Sequence, residues 1–187
     1  MKRVFLSSTS RDLEEYRNVV MDGIQSLEGF HCIGMENFTA SPKSPEEYCR
    51  GKVSESDLFV GLMGHNYGSC PPGKEKSLTE MEYDTAIASG IPTLMFVANE
   101  DFSIPANIRE NDEKFRKQKE FRKRVLSEHT VSLKFSNPHE VALNVNSAIS
   151  NYLGISSASL SLDNGQYIIV VEGTRSTETL AIEVKNN

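Results

Sequence analysis

Short apolar, β-branched or aromatic runs recur along the chain at Val4–Leu6, Phe30–Met35, Leu58–Met63, Thr93–Ala98 and Val131–Phe135. Between and after them, apolar residues fall at helical spacing, which predicts helices over Asp12–Leu27, Pro45–Ser54, Leu78–Ser89, Glu113–Leu126 and Pro138–Tyr152. Five βα units in succession predict an α/β fold with a five-stranded parallel sheet wrapped on both faces by helices. The run Asp57–Met63 is almost continuously apolar, as a strand buried on both faces must be, so it is placed in mid-sheet.

The texture changes near residue 154. Residues 1–153 carry the βα pattern, 154–159 form a small-residue linker, and 160–187 read as a C-terminal β appendage. Asn164-Gly165 between two extended runs is a hairpin signal, and Thr179–Val184 supplies a third strand. Three strands bury little by themselves. Such a piece has to pack on the main domain, pair with another copy, or open a longer structure.

A chain of 187 residues with 38% hydrophobic and 25% charged residues suits one globular α/β domain plus an appendage. The net charge of −6 argues against generic nucleic-acid or anionic-membrane binding, both of which need a positive field. The basic stretch Lys114–Arg124 is the local exception. Acidic residues are interleaved with its Lys and Arg, and Phe115, Phe121 and Val125 recur at helical spacing, so it reads as a solvated helix face. Cys32, Cys49 and Cys70 are an odd number with no C-x-x-C pair, a poor disulfide or zinc framework that favours a reducing compartment. The N-terminal apolar run is too short for a signal peptide and no run reaches membrane-spanning length, so the expectation is a cytoplasmic protein with no membrane contact.

Candidate chemistry centres on Glu82. Leu78, Glu82 and Ala86 stack on one i, i+4 row of their helix, which sets a carboxylate between positions that face the core. A charge there is costly unless it is used or paired. Glu80 has a structural role available, because Ser77 and Glu80 have capping-box spacing.

In an open parallel sheet, ligands bind beyond the carboxyl ends of the strands, where the strand order reverses. With a 2-1-3-4-5 order, the segment Ser7 to Asp12, the segment Gly64 to Ser69 and the helix bearing Glu82 would meet at one edge. Ser8, Thr9, His65, Tyr67, Ser69 and Glu82 would then line one cleft. Each has a blander reading: Thr9 and Asp12 have capping-box spacing for the first helix, His65 can bond its own loop, and no second ligand at metal spacing accompanies it. The segment Gly68 to Glu75 reads as a phosphate-binding G-x-x-x-x-G-K up to its last position. There Glu75 replaces the magnesium-binding hydroxyl, and Pro71 and Pro72 remove backbone donors. It is read instead as a loop over the cleft.

Three of these segments resemble a known family. Val4 to Leu13, Asp57 to Ser69, and Ser77 to Ala86 followed by Gly90-Ile-Pro92 look like the TIR-like domain of unknown function DUF4062, over about the first 150 residues. The resemblance implies a signalling module of the innate-immune or anti-phage kind, which in that family stands ahead of a STAND-type NTPase and repeats. This chain shows neither, so an NTPase or other sensor would be a partner, and self-association into a homo-oligomer is the other implied contact. The wider resemblance is to TIR domains and nucleoside deoxyribosyltransferases, which share a flavodoxin-like fold and place a key glutamate in an E-x-x-x-A segment. Glu82 to Ala86 matches that segment. It implies that Glu82 acts at C1′ of a ribosyl group, with Ser8 or Ser69 on ribose or phosphate and Tyr67 stacked on a base. Three functions follow: an NAD glycohydrolase, with NAD or a nucleotide as substrate and no cofactor or metal; a nucleoside transferase; and a non-catalytic interaction module.

Overall fold

The predicted strand runs form β1 (Lys2–Ser8), β2 (Phe30–Ile33), β3 (Leu58–Met63), β4 (Thr93–Ala98) and β5 (Leu133–Phe135). They make one all-parallel sheet in the order β2-β1-β3-β4-β5. The helices are α1 (Glu14–Ser26), α2 (Pro45–Ser54), α3 (Leu78–Ala88), α4 (Asp112–Glu128) and α5 (Pro138–Tyr152). The computed structural model describes residues 1–9, 11–34, 44–128, 133–152, 158–163, 166–172 and 177–182. Met35, Val131 and Ser132, predicted as strand, lie outside them.

Strand order and right-handed crossovers together decide which helix covers which face. The chain steps from β1 to β2 with α1, then reverses across β1 to β3 and continues outward, so α2, α3 and α4 share the face opposite α1. The packing agrees: Phe5, Phe59, Met63, Met95 and Val97 of the sheet meet Val53 of α2, Tyr83 and Ala86 of α3, and Phe121 and Val125 of α4. β3 is buried at every position, as its continuous apolar run required.

α2 starts on a complete capping box between Ser44 and Glu47, with Pro45 at its first turn. α1 begins two residues later than predicted and has no side-chain cap. Its expected capping pair does other work. Thr9 Oγ1 donates to Asp12 Oδ1, and the backbone N–H of Asn66 donates to Asp12 Oδ2 at 3.2 Å, so Asp12 ties the end of β1 to the loop after β3.

That loop passes close to α1. A Cβ added at Gly64 would collide with the Asp12 carboxylate and sit 3.3 Å from Leu13 Cγ. Gly64→Ala is expected to cost about 1–3 kcal/mol, the usual overpacking range, measured by urea unfolding. A loss below a few tenths would mean that the two segments part easily.

The chain divides into two compact units, Met1–Val145 and Asn146–Asn187. The second contains a separate antiparallel sheet of β6 (Ala158–Asp163), β7 (Gln166–Glu172) and β8 (Thr177–Ile182) in that order. β6 and β7 pair with Asp163 opposite Gln166. The Asn164-Gly165 turn between them lies outside the described residues, as does most of the predicted linker. β8 starts two residues earlier than the Thr179–Val184 run suggests, and Glu183 and Val184 lie outside the described residues.

Candidate functional site

Strand parity places the hydroxyls that follow the apolar part of β1. Ser7 lies two residues beyond Phe5, so it continues the face covered by α2, α3 and α4. Ser8 continues the opposite face, toward α1. The two serines therefore serve different neighbourhoods.

On the first face, Ser7 Oγ donates to Glu82 Oε2 at 2.6 Å. Glu82 is only 2% exposed, and its other oxygen, Oε1, is buried with no hydrogen bond of good geometry. The buried thiol of Cys49, from α2, is the polar neighbour of this carboxylate. Burial is the main influence on Glu82 and pushes its pKa from 4.5 up to about 7; the contacts from Ser7 and Cys49 oppose the shift. Burial and the adjacent carboxylate push the Cys49 thiol up to about 12, so at neutral pH it is a protonated, weak donor. Glu82 does therefore have partners, both from elements distant in sequence. Neither Ser7 nor Cys49 was singled out from the sequence.

Glu80 is structural, though not by the expected reciprocal cap. The Ser77 hydroxyl does accept the Glu80 N–H at 3.2 Å. The Glu80 carboxylate instead accepts from the Tyr67 hydroxyl, from Arg124 Nη2 at 2.9 Å, and lies 3.7 Å from Lys76. Glu80→Gln is expected to cost about 1–3 kcal/mol, the range for a charge-assisted bond left half-made. Urea unfolding checks it, and a neutral substitution would show the Tyr67–Arg124 link to be slack.

The other candidates spread out rather than share one cleft. Ser8 is buried and receives Arg17 Nη1 at 3.2 Å; the same nitrogen donates to the Thr9 carbonyl at 3.1 Å. Tyr67 is 2% exposed, with its ring in the apolar cluster and its hydroxyl on Glu80, so no face is left for a base. Burial and the Glu80 carboxylate both raise its pKa. His65 Nε2 bonds the Asn99 carbonyl at 2.9 Å, which requires its proton on that nitrogen, and the ring lies against Phe102. It lines a cavity of about 650 Å³ between the loop after β4 and α4. Thr9 and the exposed Ser69 do come together, in a smaller polar cavity of about 280 Å³ at the crevice between β1 and β3.

Glu82 lines neither of these two cavities. Residues 35–43, which join β2 to α2, lie outside those residues. The segment Gly68–Glu75, read from sequence as a loop over the cleft, is fastened to flanking helices: Lys74 pairs with Glu46 at 3.1 Å and Lys117 donates to the Glu75 carbonyl at 2.9 Å. Among the described residues no group of three or more His, Cys, Asp or Glu could hold a metal ion. No described helix is long and apolar enough to cross a membrane.

Comparisons with known proteins agree with this architecture. The family model described as "Domain of unknown function (DUF4062)" matches residues 3–150. No curated protein matches. Among solved structures, the TIR domains of the activated Roq1 resistosome recognising the effector XopQ align over 82% of this chain and 99% of theirs, at 13% identity and a TM-score of 0.52. The CMP N-glycosidase BcmB of Clostridium botulinum aligns over 78% of this chain and 98% of its own, at 19% identity and a TM-score of 0.44.

Proposed function

The chain belongs to the DUF4062 family, and from that membership and the setting of Glu82 we propose that it is a TIR-like domain that cleaves the N-glycosidic bond of NAD or a related nucleotide. The single observation that carries the reading is the half-paired carboxylate: Glu82 Oε2 is held by Ser7, while buried Oε1 has no hydrogen bond of good geometry and the carboxylate's other neighbour is the weakly donating Cys49 thiol. An unpaired buried oxygen costs free energy in the resting protein. A ribosyl group supplies what it lacks, since sugar hydroxyls would donate to Oε1 and favour the charged form.

As the bond from C1′ to the base nitrogen breaks, the base leaves with the electron pair and positive charge builds on the sugar ring. The Glu82 carboxylate offsets that charge or captures C1′, and water then completes hydrolysis. Ser7 fixes the orientation of the carboxylate from β1, a rigid element, which suits a group that must not reorganise during the reaction. The Cys49 thiol flanks it without becoming a competing nucleophile, because it remains protonated.

A second reading is an interaction module that self-associates and reports to an NTPase or other sensor in a defence pathway. One observation favours it: Glu82 is 2% exposed and lines neither of the two cavities described above. The test is chromatography of concentrated protein incubated with NAD, and separately with a nucleoside plus a free base. Free nicotinamide supports the proposal. Base exchange without net hydrolysis would replace it with a nucleoside transferase, and no reaction in either mixture would replace it with the module.

A further inference from the structure

Three successive backbone N–H groups in the loop after β3 end on carboxylates. That of Asn66 donates to Asp12, that of Tyr67 to Glu110 Oε2 at 2.5 Å, and that of Gly68 to both Glu110 oxygens at 3.2 and 3.3 Å. Consecutive N–H groups turned to one side form an anion-binding concavity. Gly68 has φ +95°, which lets the chain turn its N–H inward; Thr9 Cγ2 lies 3.2 Å from where a Cβ would sit. Lys114 Nζ completes the cradle, 3.0 Å from Glu110 Oε1 and 2.7 Å from the Gly68 carbonyl.

The cradle opens on the polar cavity of about 280 Å³ between β1 and β3. Arg11, Arg109 and Lys114 line it against two acids, Asp12 and Glu110. Both acids are already engaged by backbone N–H groups. Arg11 and Arg109 are exposed and make no ion pair among the described residues. A local cationic excess is unexpected in a chain of net charge −6, and it lies at the strand-order reversal where open α/β sheets take ligands.

We propose that this crevice is an anion site for a phosphoryl or pyrophosphoryl group, and that Glu110 is seated in it as an internal stand-in for the ligand. A phosphoryl oxygen replaces the Glu110 carboxylate on the Tyr67 and Gly68 N–H groups and on Lys114. Arg11 and Arg109, which fit phosphate oxygens in a bidentate manner, close on its outer oxygens. Glu110 then sets a threshold, because ligand must displace a carboxylate already in place. The site does not rest on Glu82 or on glycosidic chemistry, so a failed nicotinamide assay leaves it standing.

The test is a titration of the ¹⁵N-labelled full chain with inorganic pyrophosphate at constant ionic strength, following the Tyr67 and Gly68 amide resonances. Saturable shifts of both are expected. Glu110→Gln, whose amide oxygen still accepts the N–H groups but carries no charge, should bind about tenfold tighter. The double substitution of exposed Arg11→Ala and Arg109→Ala should bind about tenfold weaker with an unchanged melting temperature. The proposal is overturned by no saturable shift in wild type and Glu110→Gln, by no tightening in Glu110→Gln, or by binding indifferent to the two arginines.

Discussion

Wild-type protein is expected to lose about 3 kcal/mol of stability relative to Glu82→Gln as pH rises from 4.5 to 7. The folded pKa of Glu82 is about 7 against an ordinary 4.5. Over that window the unfolded chain releases its proton while the folded chain retains it. The folded state thus binds more protons, and stability falls with rising pH. Below the lower value both states are protonated and the penalty is absent; above about 7 both are ionised and it is complete. Gln keeps the size and can still accept from Ser7, so subtracting the two pH profiles isolates Glu82. Urea unfolding of both proteins between these limits checks the result. A difference that does not change with pH would show that Glu82 titrates as an exposed carboxylate.

The second large effect is on turnover. Glu82→Gln is expected to lower kcat by about 10²–10³, the range for removing one preorganised electrostatic group, with a smaller change in KM. An amide can still bind sugar hydroxyls, but it cannot offset an oxocarbenium charge. Glu80→Gln, two residues away, should retain activity, since its carboxylate serves Tyr67 and Arg124 rather than the reacting atoms. Steady-state kinetics on both variants checks the contrast. Equal losses would point to disruption of α3 rather than to chemistry.

The parallel fold was legible because strands buried on both faces read as continuous apolar runs, and β3 is the clearest case; the order of the strands entered only as the condition under which the site segments meet. Helix positions were legible where local chemistry sets them: Ser44 and Pro45 fix the start of α2. The start of α1 was not, because a tertiary contact competes for the capping group, and Asp12 serves Thr9 and the loop after β3.

The candidate site was legible in part for the same reason. Glu82 stood out through its apolar row, which needs only helical periodicity. Its partners needed a second step: Ser7 shares the face of Phe5, and right-handed crossovers bring α3 to that face. Parity carries this signal, and it separates Ser7 from Ser8. Tyr67 could not be placed from sequence, because an aromatic in the loop after a buried strand can turn outward to a ligand or inward to the core. Here the acceptor on Glu80 draws its hydroxyl inward. Glu110 was invisible, since nothing local marks a loop acid as the partner of amides more than forty residues earlier.

Whether Glu82 acts on the C1′ bond is decided by one paired measurement. Wild type and Glu82→Gln, each fused to the same self-associating tag and matched for concentration, are incubated with NAD, and nicotinamide is quantified over time. Steady nicotinamide release by wild type and its near-complete loss in the variant are expected. Equal release by both, or none by wild type in the associated state, would contradict that action.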